Sequence, residues 1–210
     1  NGVSRTIRGA ASAEPRSCAR GGGSKTSLRL RKRDTATSRA IVVSDVADEY
    51  RDALAARVKA LRVGDGMDKD VYMGPLVSAD AEKTVMEYIE IGKQEGARLV
   101  TGGDKLKGDA FDHGYFVAPT VFDKVGPDMR IAQEEIFGPA VCLVPFDNEA
   151  EMIQDVNASP YGLSGSIWTN DLRRALRVAR QVESGVLSIN SHSSVHVEAP
   201  FGGLKQSGVG

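Results

Sequence analysis

From residue 40 onward, short apolar runs alternate with helical apolar stripes. Ala40-Ile41-Val42-Val43 is a continuous apolar run and predicts a buried strand. Tyr50, Leu54, Val58 and Leu61 share one face of a helix over roughly 46–61, which Gly64 ends. Val85, Tyr88 and Ile89 form the stripe of a second helix, from near Ser78 to Gln94 and stopped by Gly96. A short strand follows at 98–101, then a Gly102-Gly103 turn, then an extended stretch over 115–122 broken by Pro119. The pattern closes with a strand at 141–146, a short helix at 149–157 and a strand at 163–169. Next come a helix capped by Asp171 and a strand at 186–190. The apolar face of the last helix is expected to hold Leu172, Ala175, Leu176, Ala179 and Val182. This alternation predicts an α/β fold with a helix-covered, mostly parallel sheet.

Residues 1–39 break the rhythm. They carry ten Lys/Arg against two Asp/Glu, a net of +8, which leaves −9 for the rest of the chain. Strong hydrophobes there are few: Val3, Ile7, Leu28 and Leu30. Such a segment cannot bury enough apolar surface to offset its ordering entropy, so a largely disordered basic arm over 1–34 is expected. Its Arg- and Ser-rich composition also suits an organelle transit peptide. A nucleic-acid role is disfavoured, because the arm has no aromatic residue to stack on bases. Gly21-Gly22-Gly23-Ser24-Lys25-Thr26 falls short of a phosphate loop, since Ser24 stands where Gly must precede the Lys.

The whole chain of 210 residues is 41% hydrophobic and 26% charged, ordinary for a globular protein with a sizeable core. No apolar run is long enough for a membrane span, and no apolar leader follows the basic start. Cys18 and Cys142 cannot build a disulfide framework, so a cytoplasmic, reducing location is expected.

Candidate chemistry is sparse. Two adjacent carboxylates, Glu134-Glu135, cannot both be cheaply buried, so at least one should face a cleft or water. A carboxylate there could accept ribose hydroxyls, although a solvated pair is the commoner meaning of that spacing. His192 and His196 would bind zinc only on a helix, and their Ser-rich surroundings suggest a loop, so no metal site is expected. Cys142 lies in an apolar run, where burial makes a thiol inert.

The order of motifs says more than any single one. Met73-Gly74-Pro75-Leu76-Val77-Ser78 comes first, then Glu134-Glu135-Ile136-Phe137-Gly138-Pro139 and Tyr161-Gly162-Leu163-Ser164. Ser184-Gly185-Val186-Leu187-Ser188-Ile189-Asn190 and Pro200-Phe201-Gly202-Gly203-Leu204-Lys205-Gln206-Ser207-Gly208 complete the series. From about Thr35 to Gly210 this resembles the catalytic domain of the NAD(P)-dependent aldehyde dehydrogenase superfamily. The resemblance implies attack of a cysteine thiolate on an aldehyde, hydride loss to NAD or NADP, and hydrolysis of the thioester by an activated water. It implies that Glu135 holds the nicotinamide ribose, that Phe137 packs beside the nicotinamide, and that Phe201 lines the substrate channel. The loop from Ser191 to Glu198 is expected to border the aldehyde pocket.

The departures are as informative. Thr35-Ala36-Thr37-Ser38-Arg39 is similar to the stretch that follows the family's nucleophile, but Asp34-Thr35 stands where that cysteine belongs. No catalytic residue is therefore assigned. The family's dinucleotide domain should precede this stretch, and its oligomerisation strands should follow Gly210. Residues 1–34 read as a shifted-frame product, with Gly21 to Lys25 about where relatives carry a Leu-Gly-Gly-Lys run. The expectation is a truncated, inactive aldehyde dehydrogenase over 35–210, or alternatively a non-catalytic interaction or oligomerisation module derived from that domain.

Overall fold

The computed structural model describes residues 37–191 and 198–210, together with the backbone of 4–8. In chain order the elements are β1 (Ser4–Arg8), β2 (Thr37–Val43), α1 (Ser44–Lys59), α2 (Ala79–Gln94), β3 (Arg98–Thr101), β4 (Thr120–Asp123) and α3 (Arg130–Gln133). They continue with β5 (Ala140–Phe146), α4 (Glu149–Ala158), β6 (Tyr161–Gly162), β7 (Ser164–Trp168), α5 (Leu172–Gln181), β8 (Val186–Ile189) and β9 (Leu204–Lys205).

Among the described residues, seven strands make one sheet in the order β3-β4-β5-β2-β1-β7-β8. Every pairing is parallel except the β3–β4 edge, which is antiparallel. β6 and β9 pair separately as a short antiparallel ribbon. The expected α/β architecture with a mostly parallel sheet is therefore present.

The two-residue period of β2 assigns its faces. Ala40 and Val42 pack with Val121 and Leu143 under Tyr50, Leu54 and Val58 of α1. Ile41 points the other way, into a larger core with Phe122, Cys142 and Val144, closed by Val85 and Ile89 of α2 and by Met152 and Val156 of α4. Both faces of the central strands are buried, which explains their unbroken apolar runs.

Local chemistry sets the helix starts. Ser78 Oγ accepts the Ala81 N–H at 3.1 Å, Asn148 Oδ1 accepts from Ala150 and Glu151, and Asp171 Oδ1 accepts from Arg174. Each satisfies an N–H that the first turn of a helix leaves over.

Two expectations change. Ser4–Arg8 is a strand in the middle of the sheet, paired on both sides, so the disordered arm fails for these five residues. Composition measures the apolar area side chains can bury, whereas a central strand is also held by backbone hydrogen bonds on two sides. The rest of the arm, including Cys18, the Gly21–Thr26 run and Asp34-Thr35, lies outside the described residues. The apolar face of α5 is also narrower than its periodicity suggests. Ala175, Val178 and Val182 are buried, but Leu172 is 66% exposed and Leu176 45%.

Candidate functional site

The motifs converge because parallel strands start level. Ser4 pairs with both Thr37 and Ser164, Ser164 with Val186, and Thr120 with Ala140. Arg39 pairs with Cys142 two residues into β2 and β5. Each strand-leading motif therefore reaches the same edge of the sheet, the amino edge. Glu134–Pro139 leads into β5, Tyr161-Gly162 into β7 and Ser184-Gly185 into β8.

The loop carrying Phe201 reaches that edge by tertiary contacts. The Gly162 N–H donates to Ser207 Oγ at 2.9 Å, and the Gln206 N–H to the Pro160 carbonyl at 3.0 Å. A Cβ on Gly185 would fall on the carbonyl of Gly202. The glycines at 185 and 202 thus allow backbone to lie against backbone and hold Phe201, itself half-buried, at the edge.

The Glu-Glu pair is divided between two environments. Glu134 takes two hydrogen bonds from the Arg130 guanidinium, at 2.9 and 3.0 Å, and one from the Tyr88 hydroxyl at 2.7 Å. Arg130 first, then Tyr88, hold its carboxyl below the ordinary glutamate value. Glu135 is half-buried and lies close enough to Arg39 to stabilise its charge. Separate cations therefore relieve the two carboxylates, as adjacent acids require. Ile136 anchors the loop in the core, and Phe137 beside it is half-buried. A Cβ on Gly138 would press on both methyls of Val85, so this position keeps the loop tight against α2.

Arg39 was not marked as important by the sequence pattern. It is 4% exposed, and its Nη2 donates to the Glu134 carbonyl at 3.0 Å. Burial lowers its pKa to about 10, opposed by Cys142, Glu135 and Tyr161. The one available signal was its place at the head of an apolar strand, where a cation needs special company.

Cys142 is 1% exposed and its Sγ faces the Ile131 carbonyl at 3.4 Å. Burial pushes the thiol up to about 12, with Arg39 opposing. It is a core residue with no thiolate character near neutral pH. His192 and His196 lie outside the described residues. Among the described residues no group of three or more His, Cys, Asp or Glu could hold a metal ion. No helix of the described residues is long and apolar enough to cross a membrane.

The geometry thus joins Glu135, Phe137 and Phe201 to one edge of one sheet, with Arg39, Tyr88 and Arg130 as supports. Comparison with known proteins gives the family. The Aldehyde dehydrogenase family model matches residues 32–210. The chain is 47% identical over 173 residues to a betaine aldehyde dehydrogenase of Rhizobium johnstonii, covering 82% of this chain and 35% of the relative. It is 43% identical over 174 residues to an alpha-ketoglutaric semialdehyde dehydrogenase of Bacillus subtilis, covering 82% of this chain and 36% of that protein. The chain therefore spans about a third of the length of these curated relatives. Among solved structures, an aldehyde dehydrogenase of Mycobacterium tuberculosis complexed with NAD+ superposes with a TM-score of 0.90 at 34% identity. That match covers 100% of this chain and 43% of the other. A betaine aldehyde dehydrogenase of Staphylococcus aureus in complex with NAD+ gives 0.92 at 34% identity, covering 100% and 42%. The chain belongs to the aldehyde dehydrogenase family.

Proposed function

We propose that residues 35–210 are the part of an NAD(P)-dependent aldehyde dehydrogenase catalytic domain that walls the nicotinamide end of the coenzyme, and that this chain alone oxidises no aldehyde. One observation carries the reading: the Glu135–Phe137 loop and Phe201 share the amino edge of the sheet, whereas Cys142, the cysteine among the described residues, is sealed in the core.

The residues present fit a nicotinamide nucleoside. Glu135 offers a half-buried carboxylate whose two oxygens can accept a pair of vicinal hydroxyls. Phe137 offers a half-buried ring suited to flank a planar heterocycle. Arg39 lies within electrostatic reach of Glu135 and fixes the Glu134 peptide before it. Phe201 supplies an apolar surface for an aldehyde chain. The coenzyme, when bound, accepts the hydride. A carbon–sulfur bond to the aldehyde needs a thiolate, and Cys142 supplies none at neutral pH. Glu135 and Phe137 by themselves offer few contacts, so these residues alone hold a coenzyme weakly. NAD is favoured over NADP by the NAD+ complexes of the structural relatives. We place the chain in the cytoplasm, on its cysteine usage.

The test mixes the chain with NAD+ and a panel of aldehydes, betaine aldehyde among them, and follows absorbance at 340 nm. No rise above blank is expected, and turnover overturns the reading. Saturation-transfer NMR with nicotinamide mononucleotide should show weak contact that Glu135→Gln abolishes. A signal indifferent to that change removes the role of Glu135.

A second reading, a non-catalytic association module, draws on Leu172 and Leu176, exposed on one side of α5. Concentration-dependent self-association on size exclusion that Leu172→Ser with Leu176→Ser abolishes would favour it. A concentration-independent monomer would disfavour it.

A further inference from the structure

We propose that Arg39 and the cavity beside it form a binding site for a small carboxylate with a short apolar tail. The proposal stands on the shape and chemistry of this cavity and does not depend on the coenzyme reading above.

Arg39 is 4% exposed, yet among the described residues its Nε and Nη1 have no hydrogen-bond partner. These two atoms carry three of the five N–H donors of a guanidinium. Only Nη2 is used, on the Glu134 carbonyl. Glu135 acts on the guanidinium electrostatically. Buried donors left unmatched are costly, and a buried cation more so. An arginine accepts no hydrogen bond, so whatever satisfies it must bring acceptors, and an anion also offsets its charge.

Arg39 lines a cavity of about 50 Å³, room for more than one water-sized group. The other walls are mostly apolar: Ile41, Val144, Phe146, Met152 and Val156. Two polar groups of the lining are already engaged. The Gln133 amide donates to the Pro127 carbonyl at 2.6 Å, and Ser159 Oγ accepts the Tyr161 N–H at 3.2 Å. A cation at one end and hydrocarbon walls along the rest match an alkyl carboxylate of three or four carbons. An inorganic anion has no apolar end to bury, and an alcohol has no charge.

The surrounding charges set the strength. Lys205 Nζ, on the Ser159 carbonyl at 3.1 Å, is ion-paired with Glu183 and so adds little net charge. Glu135 lies within electrostatic reach of Arg39, and exposed Asp155 stands in the cavity lining. Both acids weaken the hold on an anion, so the dissociation constant should be roughly 1–10 mM for so small a ligand.

The experiment titrates the full chain with sodium butyrate at fixed ionic strength and follows the Arg39 Nε–H resonance with the methyl signals of Met152 and Val156. Butan-1-ol and inorganic phosphate are the comparison ligands. Butyrate should give a saturable shift, butanol and phosphate much smaller ones, and Arg39→Met should weaken butyrate at least tenfold. Asp155→Asn, an exposed change, should tighten butyrate several-fold at low salt and less at high salt. This second variant decides the matter where Arg39→Met does not fold. The proposal is overturned by a non-saturating shift, by equal responses to butyrate and butanol, by phosphate binding as tightly as butyrate, or by an affinity unmoved in Asp155→Asn.

Discussion

The Tyr88 hydroxyl donates to Glu134 Oε2 at 2.7 Å, tying α2 to the loop that carries Glu135 and Phe137. These residues stand 46 apart in sequence. The carboxylate is thus gripped from its own short helix by Arg130 and from across the core by Tyr88. Removing the hydroxyl leaves the ring packed but breaks the long-range half of the grip. Tyr88→Phe should cost about 1.5 kcal/mol, the low end for a hydrogen bond to a charged acceptor, because this one is only partly buried. The midpoint of urea unfolding measures this, with an unchanged m-value.

Glu134 also makes stability depend on pH. Its carboxyl sits below the ordinary value of 4.5 in the folded chain, held there first by Arg130 and then by Tyr88. A depressed folded value means that the contribution is present above the unfolded value and is lost as pH falls through the folded one. Stability should therefore decline below pH 4.5, and Glu134→Gln should flatten that acid limb while lowering stability at neutral pH. Urea midpoints at several pH values from neutral to acid test this.

Cys142 should be silent to thiol reagents in the native state. Burial pushes it up to about 12 and its Sγ faces a backbone carbonyl. Alkylation at pH 8, located by peptide mass spectrometry, should spare Cys142 until denaturant is added. Cys142→Ala should cost about 1 kcal/mol through lost packing. Rapid native labelling of this residue would contradict its placement in the core.

Gly185 tests how the Phe201 loop is held. A methyl group there would fall on the Gly202 carbonyl, which is backbone and cannot rotate away. Gly185→Ala should displace the 200–203 turn and cost about 1–3 kcal/mol. Faster limited proteolysis at this turn, with a lower Tm, is the expected pair of results.

The start of α2 supports the same wall from the far side, through Val85 and Tyr88. Ser78 Oγ caps it, accepting the Ala81 N–H. Ser78→Ala should cost about 1 kcal/mol. Amide hydrogen exchange should rise in the first turn of α2 and leave β5 protected.

What the sequence determined by itself was the rhythm of elements. Buried strands of a parallel sheet are covered on both faces, so β2 and β5 read as plain apolar runs, and capped amphipathic helices announce their own ends. The motif series likewise singled out Glu135 and Phe137, which share one loop at the start of β5 because they are near neighbours in the chain. Only the tertiary structure could decide what depends on distant partners. Leu172 and Leu176 continue the stripe of α5, yet which part of a stripe is covered depends on what packs there. Ser4–Arg8 is a strand through pairing with β2 and β7, which its own composition does not encode. Arg39 looks like a boundary residue before an apolar run. Its burial beside Cys142, Glu135 and a cavity follows from strand register, a relation between segments a hundred residues apart.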